Sequence, residues 1–150
     1  MAKKVAFLGL GVMGYPMAGW LSRNDYQVTV YNRTTAVAER WCEQYSGELA
    51  TTASAAVLDA DIVFLCVGND QDVQEIVLAE QGILVGIKPG AILVDHTTTS
   101  ADLAKDLAVA ANAKNCTFID APVSGGQQGA ENGQLTVMCG GSADDFAQVE

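Results

Sequence analysis

A chain of 150 residues suits one domain with a single core, and 49% hydrophobic against 17% charged residues fits a compact fold rather than disorder. The formal net charge of −10 repels phosphate backbones and anionic lipid, so neither nucleic acid nor a membrane is an expected partner. Any phosphate-bearing ligand must be held by local geometry and one or two well-placed cations.

Met1-Ala2-Lys3-Lys4 before Val5-Ala6-Phe7-Leu8 imitates a signal peptide, but Gly9, Gly11 and Gly14 interrupt the apolar stretch and no convincing cleavage site follows. The run reads better as a strand buried on both faces, as in a parallel sheet, ending at Gly9. Met13, Met17, Trp20 and Leu21 then share one face of a helix, with Pro16 tolerable only near its start. Gln27 to Tyr31, rich in β-branched residues, reads as a second strand. Thr34 or Thr35 caps a helix that turns Val37, Trp41 and Tyr45 inward. Ile62 to Val67 is the clearest buried strand, a helix follows from about Asp70 to Leu78, and Ala91 to Val94 makes another strand. Ser100 caps a helix with Leu103, Leu107, Ala110 and Ala111 inward, Cys116 to Ile119 is again a strand, and Leu135 to Cys139 is one more.

This alternation predicts an α/β fold, a doubly wound and mostly parallel sheet with helices on both faces. No apolar run approaches the roughly 18 residues needed to span a bilayer. The four cysteines, Cys42, Cys66, Cys116 and Cys139, form no CxxC pair and none sits with the single histidine, His96, at metal-ligand spacing. No metal is expected, and the thiols fit a reducing, cytoplasmic setting. Ser142-Ala143-Asp144-Asp145 starts a helix whose apolar stripe begins with Phe146 and Val149. The chain stops with no residue to end that helix, which reads as a truncation.

Gly9-Leu10-Gly11-Val12-Met13-Gly14 is GxGxxG between a buried strand and an amphipathic helix, the context in which that spacing marks a Rossmann dinucleotide site. Gly9 permits the tight turn, Gly11 lets a pyrophosphate approach the backbone, and Gly14 allows close packing of helix and strand. The free N–H groups and dipole of the helix start hold the anion. NAD-binding versions place a carboxylate at the end of the second strand for the ribose 2′-hydroxyl. Here that position reads Tyr31-Asn32-Arg33-Thr34. A guanidinium there suits a 2′-phosphate, with Asn32 and the Thr34 hydroxyl as uncharged partners, so NADP is expected over NAD.

Asp120-Ala121-Pro122-Val123-Ser124-Gly125-Gly126 follows a strand directly, where ligands of open α/β sheets bind. The Ser124 hydroxyl and the N–H groups of Gly125 and Gly126 suit a small carboxylate. An ordinary glycine turn accounts for the same residues equally well.

Phe7 to Ala18 resembles the N-terminal signature of the β-hydroxyacid dehydrogenases, the family of 3-hydroxyisobutyrate dehydrogenase and of the tartronate, glyoxylate and succinic semialdehyde reductases. Asn32-Arg33-Thr34 is similar to the stretch carried by NADP-using members. Asp120 to Gly126, with Gly129-Ala130 and Gly133-x-Leu135-Thr136-x-Met138, resembles the family's substrate-binding motif. The resemblance covers the whole chain and implies substrate contacts from Ser124, Gly125 and Gly126. It also implies cofactor contacts from Val67, Gly68 and Asn69, and from Thr98 in Asp95-His96-Thr97-Thr98, near the nicotinamide. Many members carry proline where Gly68 stands.

The implied activity is NADP-dependent hydride transfer on a small 3-hydroxy or 2-hydroxy acid or the matching semialdehyde. Tartronate, glyoxylate or succinic semialdehyde reduction is the alternative within the class. A dinucleotide-binding sensor or interaction module is the alternative outside it. The family's essential lysine belongs to a helix leading into an all-helical C-terminal domain and falls beyond Glu150. Lys88, Lys105 and Lys114 do not match its surroundings, and His96 reads as a loop histidine rather than a proton shuttle. This leaves 1–150 as an NADP-binding domain, inactive alone, with a homo-oligomer expected for the full enzyme.

Overall fold

Side chains that alternate along each buried strand decide what covers the two faces of the sheet. The computed structural model describes residues 3–97 and 100–121, together with the backbone of 123–124 and 136–137. The strands β1 (Lys4–Leu8), β2 (Gln27–Tyr31), β3 (Glu48–Leu49), β4 (Ile62–Leu65), β5 (Ile92–Asp95) and β6 (Thr117–Asp120) form one sheet in the order β3-β2-β1-β4-β5-β6. Every pairing in it is parallel.

Val5, Phe7, Val28 and Val30 point to the face covered by α1 (Gly14–Arg23) and α2 (Thr35–Gln44), where Ala18, Ala38 and Trp41 are buried. Ala6, Leu8, Val63, Leu65 and Leu93 point to the opposite face. That face is covered by α3 (Ala53–Val57), α4 (Asp70–Leu78), α5 (Ile83–Gly86) and α6 (Ala101–Ala113). After β3 the chain returns across the sheet to β4 beside β1. The order therefore reverses between β1 and β4, which opens a crevice at their carboxyl ends.

The expected doubly wound sheet is what forms. The short pieces β3, α3 and α5, of two, five and four residues, lie in stretches too brief to show a period. The strand expected over 135–139 is β8 (Thr136–Val137), which pairs antiparallel with β7 (Val123–Ser124) outside the main sheet. The helix expected from Ser142 lies outside the described residues.

Small residues bring α1 closer to the sheet than its methionines suggested. Gly14, Ala18 and Gly19 are its buried positions, while Met17 and Leu21 pack at the margin and Trp20 is half-buried. Thr34 is the N-cap residue of α2, but its side chain makes no capping hydrogen bond. Ser100 caps α6 as expected, accepting from the Leu103 N–H at 3.2 Å.

Candidate functional site

The turn from β1 into α1 is shaped by three glycines with three different reasons. Gly9 has φ +97°, a left-handed backbone that disfavours any side chain, and a Cβ there would overlap the Cys66 carbonyl. A Cβ on Gly14 would overlap the Gly9 carbonyl. A Cβ on Gly11 would meet nothing within 4 Å. Gly11 is therefore free of internal constraint, and its open side faces a cleft of about 710 Å³.

Asn32 fixes this turn. Its Oδ1 accepts from the Leu10 N–H at 2.9 Å, and its Nδ2 donates to the Thr34 carbonyl at 3.1 Å. Gly9 donates to the Tyr31 carbonyl at 2.9 Å. The N–H groups of Gly11, Val12 and Met13 are taken by no described residue, as expected of the start of a helix. These donors and the missing Cβ of Gly11 form a cradle that fits a pyrophosphate.

Gly9, Gly11 to Gly14, Asn32, Arg33, Thr34, Val67 and Gly68 all line the cleft. Leu10 does not, being buried beneath the turn at 4% exposure. Asn69 does not either: its Oδ1 caps α4 by accepting from the Asp72 N–H at 3.0 Å. Thr98, Gly125, Gly126 and the Ser124 side chain lie outside the described residues. The sequence reading missed Thr51, Thr52, Ala53, Ile76, Ala79, Gln81 and Gly82, which wall the far end of the cleft. No motif marks them, because they come from α3, α4 and the loops around them.

Arg33 stands at the mouth, 73% exposed, with Nη2 3.0 Å from Asp72 Oδ1 and 3.8 Å from Glu75 Oε2. The Asp72 hydrogen bond raises the guanidinium pKa, so the charge is permanent. The pairing with α4 crosses 39 positions of sequence, and no local pattern announced it.

At the other end of the cleft the strand termini are tied together. The Thr97 N–H donates to Asp95 Oδ1 at 2.9 Å, and the Val67 N–H donates to Thr97 Oγ1 at 2.9 Å. His96 follows β5 in a loop, as the sequence suggested, but is buried there. It is 8% exposed, stacks on Phe64 at 5.8 Å, and its Nδ1 lies 2.8 Å from the Ala121 carbonyl. A carbonyl partner requires the proton on Nδ1, and burial holds the ring's pKa below its ordinary value. Cys66 lines the cleft, but burial first and Asp95 second push its thiol up to about 11, which leaves it unreactive. Cys42 and Cys116 are also free thiols raised by burial. Among the described residues no cluster of three or more His, Cys, Asp or Glu could hold a metal, and no helix is long and apolar enough to cross a membrane.

Residues 4–150 match the family described as the NAD binding domain of 6-phosphogluconate dehydrogenase. The chain belongs to this family. Within it, an uncharacterized oxidoreductase of Shewanella frigidimarina is 58% identical over 147 residues, covering 98% of this chain and 50% of that protein. The Mycobacterium tuberculosis 3-hydroxyisobutyrate dehydrogenase, solved with L-serine, superposes with a TM-score of 0.92 at 27% identity, over 100% of this chain and 50% of its own. Psf3 in complex with NADP+ and 2-OPP superposes with a TM-score of 0.90 at 29% identity, over 97% of this chain and 51% of its own. The chain thus spans about half the length of the relatives it matches and corresponds to their nucleotide-binding, dehydrogenase-type N-terminal domain.

Proposed function

We propose that this chain is the NADP-binding domain of an oxidoreductase acting on a small 3-hydroxy or 2-hydroxy acid or the matching semialdehyde. The observation that carries the reading is the cleft. An unobstructed Gly11 backbone opens into it, Arg33 stands at its mouth, and β2 ends without a carboxylate. The free N–H groups of Gly11 to Met13 hold the pyrophosphate, and the apolar far end formed by Ala53, Ile76 and Ala79 accepts the adenine. Arg33 takes the 2′-phosphate through charge-assisted hydrogen bonds. To do so it leaves Asp72 and Glu75, and exposed ion pairs of that kind contribute little, so a dianionic phosphate displaces them. The NADP+ complex of Psf3 supports the choice of cofactor.

When bound, the cofactor supplies or accepts the hydride. Ser124, Gly125 and Gly126 orient the substrate carboxylate. Proton exchange at the alcohol falls to a lysine of an all-helical C-terminal domain beyond residue 150, within a homo-oligomeric, cytoplasmic enzyme. Equilibrium titration of NADPH and NADH against this protein tests the cofactor assignment. Arg33→Ala should weaken NADPH about 10- to 100-fold, the effect of losing hydrogen bonds to a charged group, and barely change NADH. Equal losses for both cofactors, or tighter NADH binding by the parent, overturn it.

A further inference from the structure

Asn69 and Asp72 stand three residues apart at the start of α4, as its N-cap and the end of its first turn. The Asn69 Oδ1 accepts from the Asp72 N–H at 3.0 Å, which fixes the backbone that carries the Asp72 carboxylate. The helix dipole favours anions in this turn, and α4 has two, Asp70 and Asp72. Asp70 accepts from the Ser100 N–H at 3.0 Å, just ahead of α6. Asp72 instead lines the cofactor cleft, where its Oδ1 accepts from Arg33 Nη2 at 3.0 Å.

A gap in the neighbouring loop makes room for that carboxylate. Asp72 Oδ2 lies 2.7 Å from the point where a Cβ on Gly68 would stand, so a side chain there would push it away. Apart from the neighbours of Gly68 in the chain, only Asp72 comes within 4 Å of that point. Gly68 has no left-handed backbone to require a glycine either. The space left by its missing side chain is taken up by Asp72.

Among the described residues that line the cleft, three are charged: Arg33, Asp72 and Glu75. The one cation faces both anions, at 3.0 and 3.8 Å. A nucleotide with a 2′-phosphate must take Arg33 from them, whereas one with a 2′-hydroxyl can leave the pair closed. We propose that Asp72 is a selectivity-determining residue, which competes with the 2′-phosphate for Arg33 and so holds down the preference for NADP over NAD, and that the gap at Gly68 lets it do so. This rests on the nucleotide-binding reading above. Arg33 is 73% exposed, so the competition takes place in water and its size is that of an exposed ion pair.

The test titrates NADPH and NADH against the parent, Asp72→Asn, Arg33→Ala and the double variant, at low salt and pH 8, where the 2′-phosphate is a dianion. Asp72→Asn keeps the shape of the side chain and removes its charge. It should tighten NADPH about two- to fivefold, the worth of an exposed pair, and leave NADH unchanged. In the Arg33→Ala background the same substitution should do nothing. Gly68→Ala displaces the carboxylate without altering any charge. It should raise the ratio of NADPH to NADH affinity in the same direction, and add nothing once Asp72→Asn is present.

Unchanged or weaker NADPH binding by Asp72→Asn overturns the proposal. So do equal changes for both cofactors, which would mark a purely structural role. A gain that survives in the Arg33→Ala background overturns the competition, because Asp72 would then repel the phosphate directly. A ratio that Gly68→Ala leaves flat while Asp72→Asn raises it overturns the role of the gap. Arg33→Ala separates these results from a failure of the cofactor reading itself. If it weakens NADPH and NADH alike, or if neither binds the parent, the NADP assignment falls and the proposal falls with it.

Discussion

Gly9, Gly11 and Gly14 are indistinguishable in the motif, yet only two of them are needed for folding. A side chain at Gly9 or Gly14 strikes a carbonyl, whereas one at Gly11 projects into the cleft. Gly14→Ala should therefore cost about 1–3 kcal/mol in urea unfolding, the range of overpacking in a site that cannot retreat. Gly11→Ala should stay within about 0.5 kcal/mol of the parent, as an open surface position does, while NADPH affinity falls about tenfold or more. Destabilisation by Gly11→Ala, or unchanged NADPH affinity, would show that the turn does not face the ligand. The motif was legible because its spacing is local. The commitment of the Asn32 amide to Leu10 and Thr34 was not, and neither was the hold of Asp72 and Glu75 on Arg33. Each depends on segments that only the folded sheet brings together.

At the scale of elements, length decided what could be read. The helices over 70–78 and 101–113 carry two or more turns of apolar spacing, and the sequence placed them closely. The segment between α2 and β4 contains a two-residue strand and a five-residue helix and showed nothing, although Thr51, Thr52 and Ala53 line the cleft there. Trp41 shows what fixes the mouth of the site. It is fully buried between α2 and the sheet, donates from Nε1 to the Tyr15 carbonyl at 3.3 Å, and packs against the Tyr45 ring at 5.3 Å. Arg33 lies just ahead of this helix, so the seating of α2 sets where the guanidinium stands. Trp41→Ala should lower unfolding stability by about 3–5 kcal/mol, as large-to-small changes in a packed core do. NADPH affinity should fall with it, even though Trp41 does not line the cleft. A loss below about 1 kcal/mol would mean that α2 is not anchored through this ring.

For the whole molecule, the question is whether the groups that hold the cofactor and the groups that move the proton lie in the same 150 residues. The cradle of Gly11 to Met13, the cation at Arg33 and the walls of the cleft all fall before residue 100. Neither His96 nor Lys88, Lys105 or Lys114 lines the cleft. His96 is buried with Nδ1 committed to Ala121 and its pKa lowered, so it is already neutral near pH 7 and is held against Phe64 as a structural group. Lys88 is paired with Asp61 at 2.7 Å, just ahead of β4 and β5 and so at the far end of the sheet from the cleft. Lys105 and Lys114 are exposed, on α6 and at its C-cap. Residues 1–150 alone should therefore bind NADPH and reduce nothing. Cofactor affinity and NADPH consumption measured on the same pure sample, across a panel of small semialdehydes, check both halves of that expectation. Binding without turnover agrees with proton transfer by a lysine beyond residue 150. Robust turnover would place the proton transfer within these residues, with His96 the first to examine. A His96→Asn variant that kept its fold and lost that turnover would make the histidine a catalytic residue and remove the need for the distant lysine.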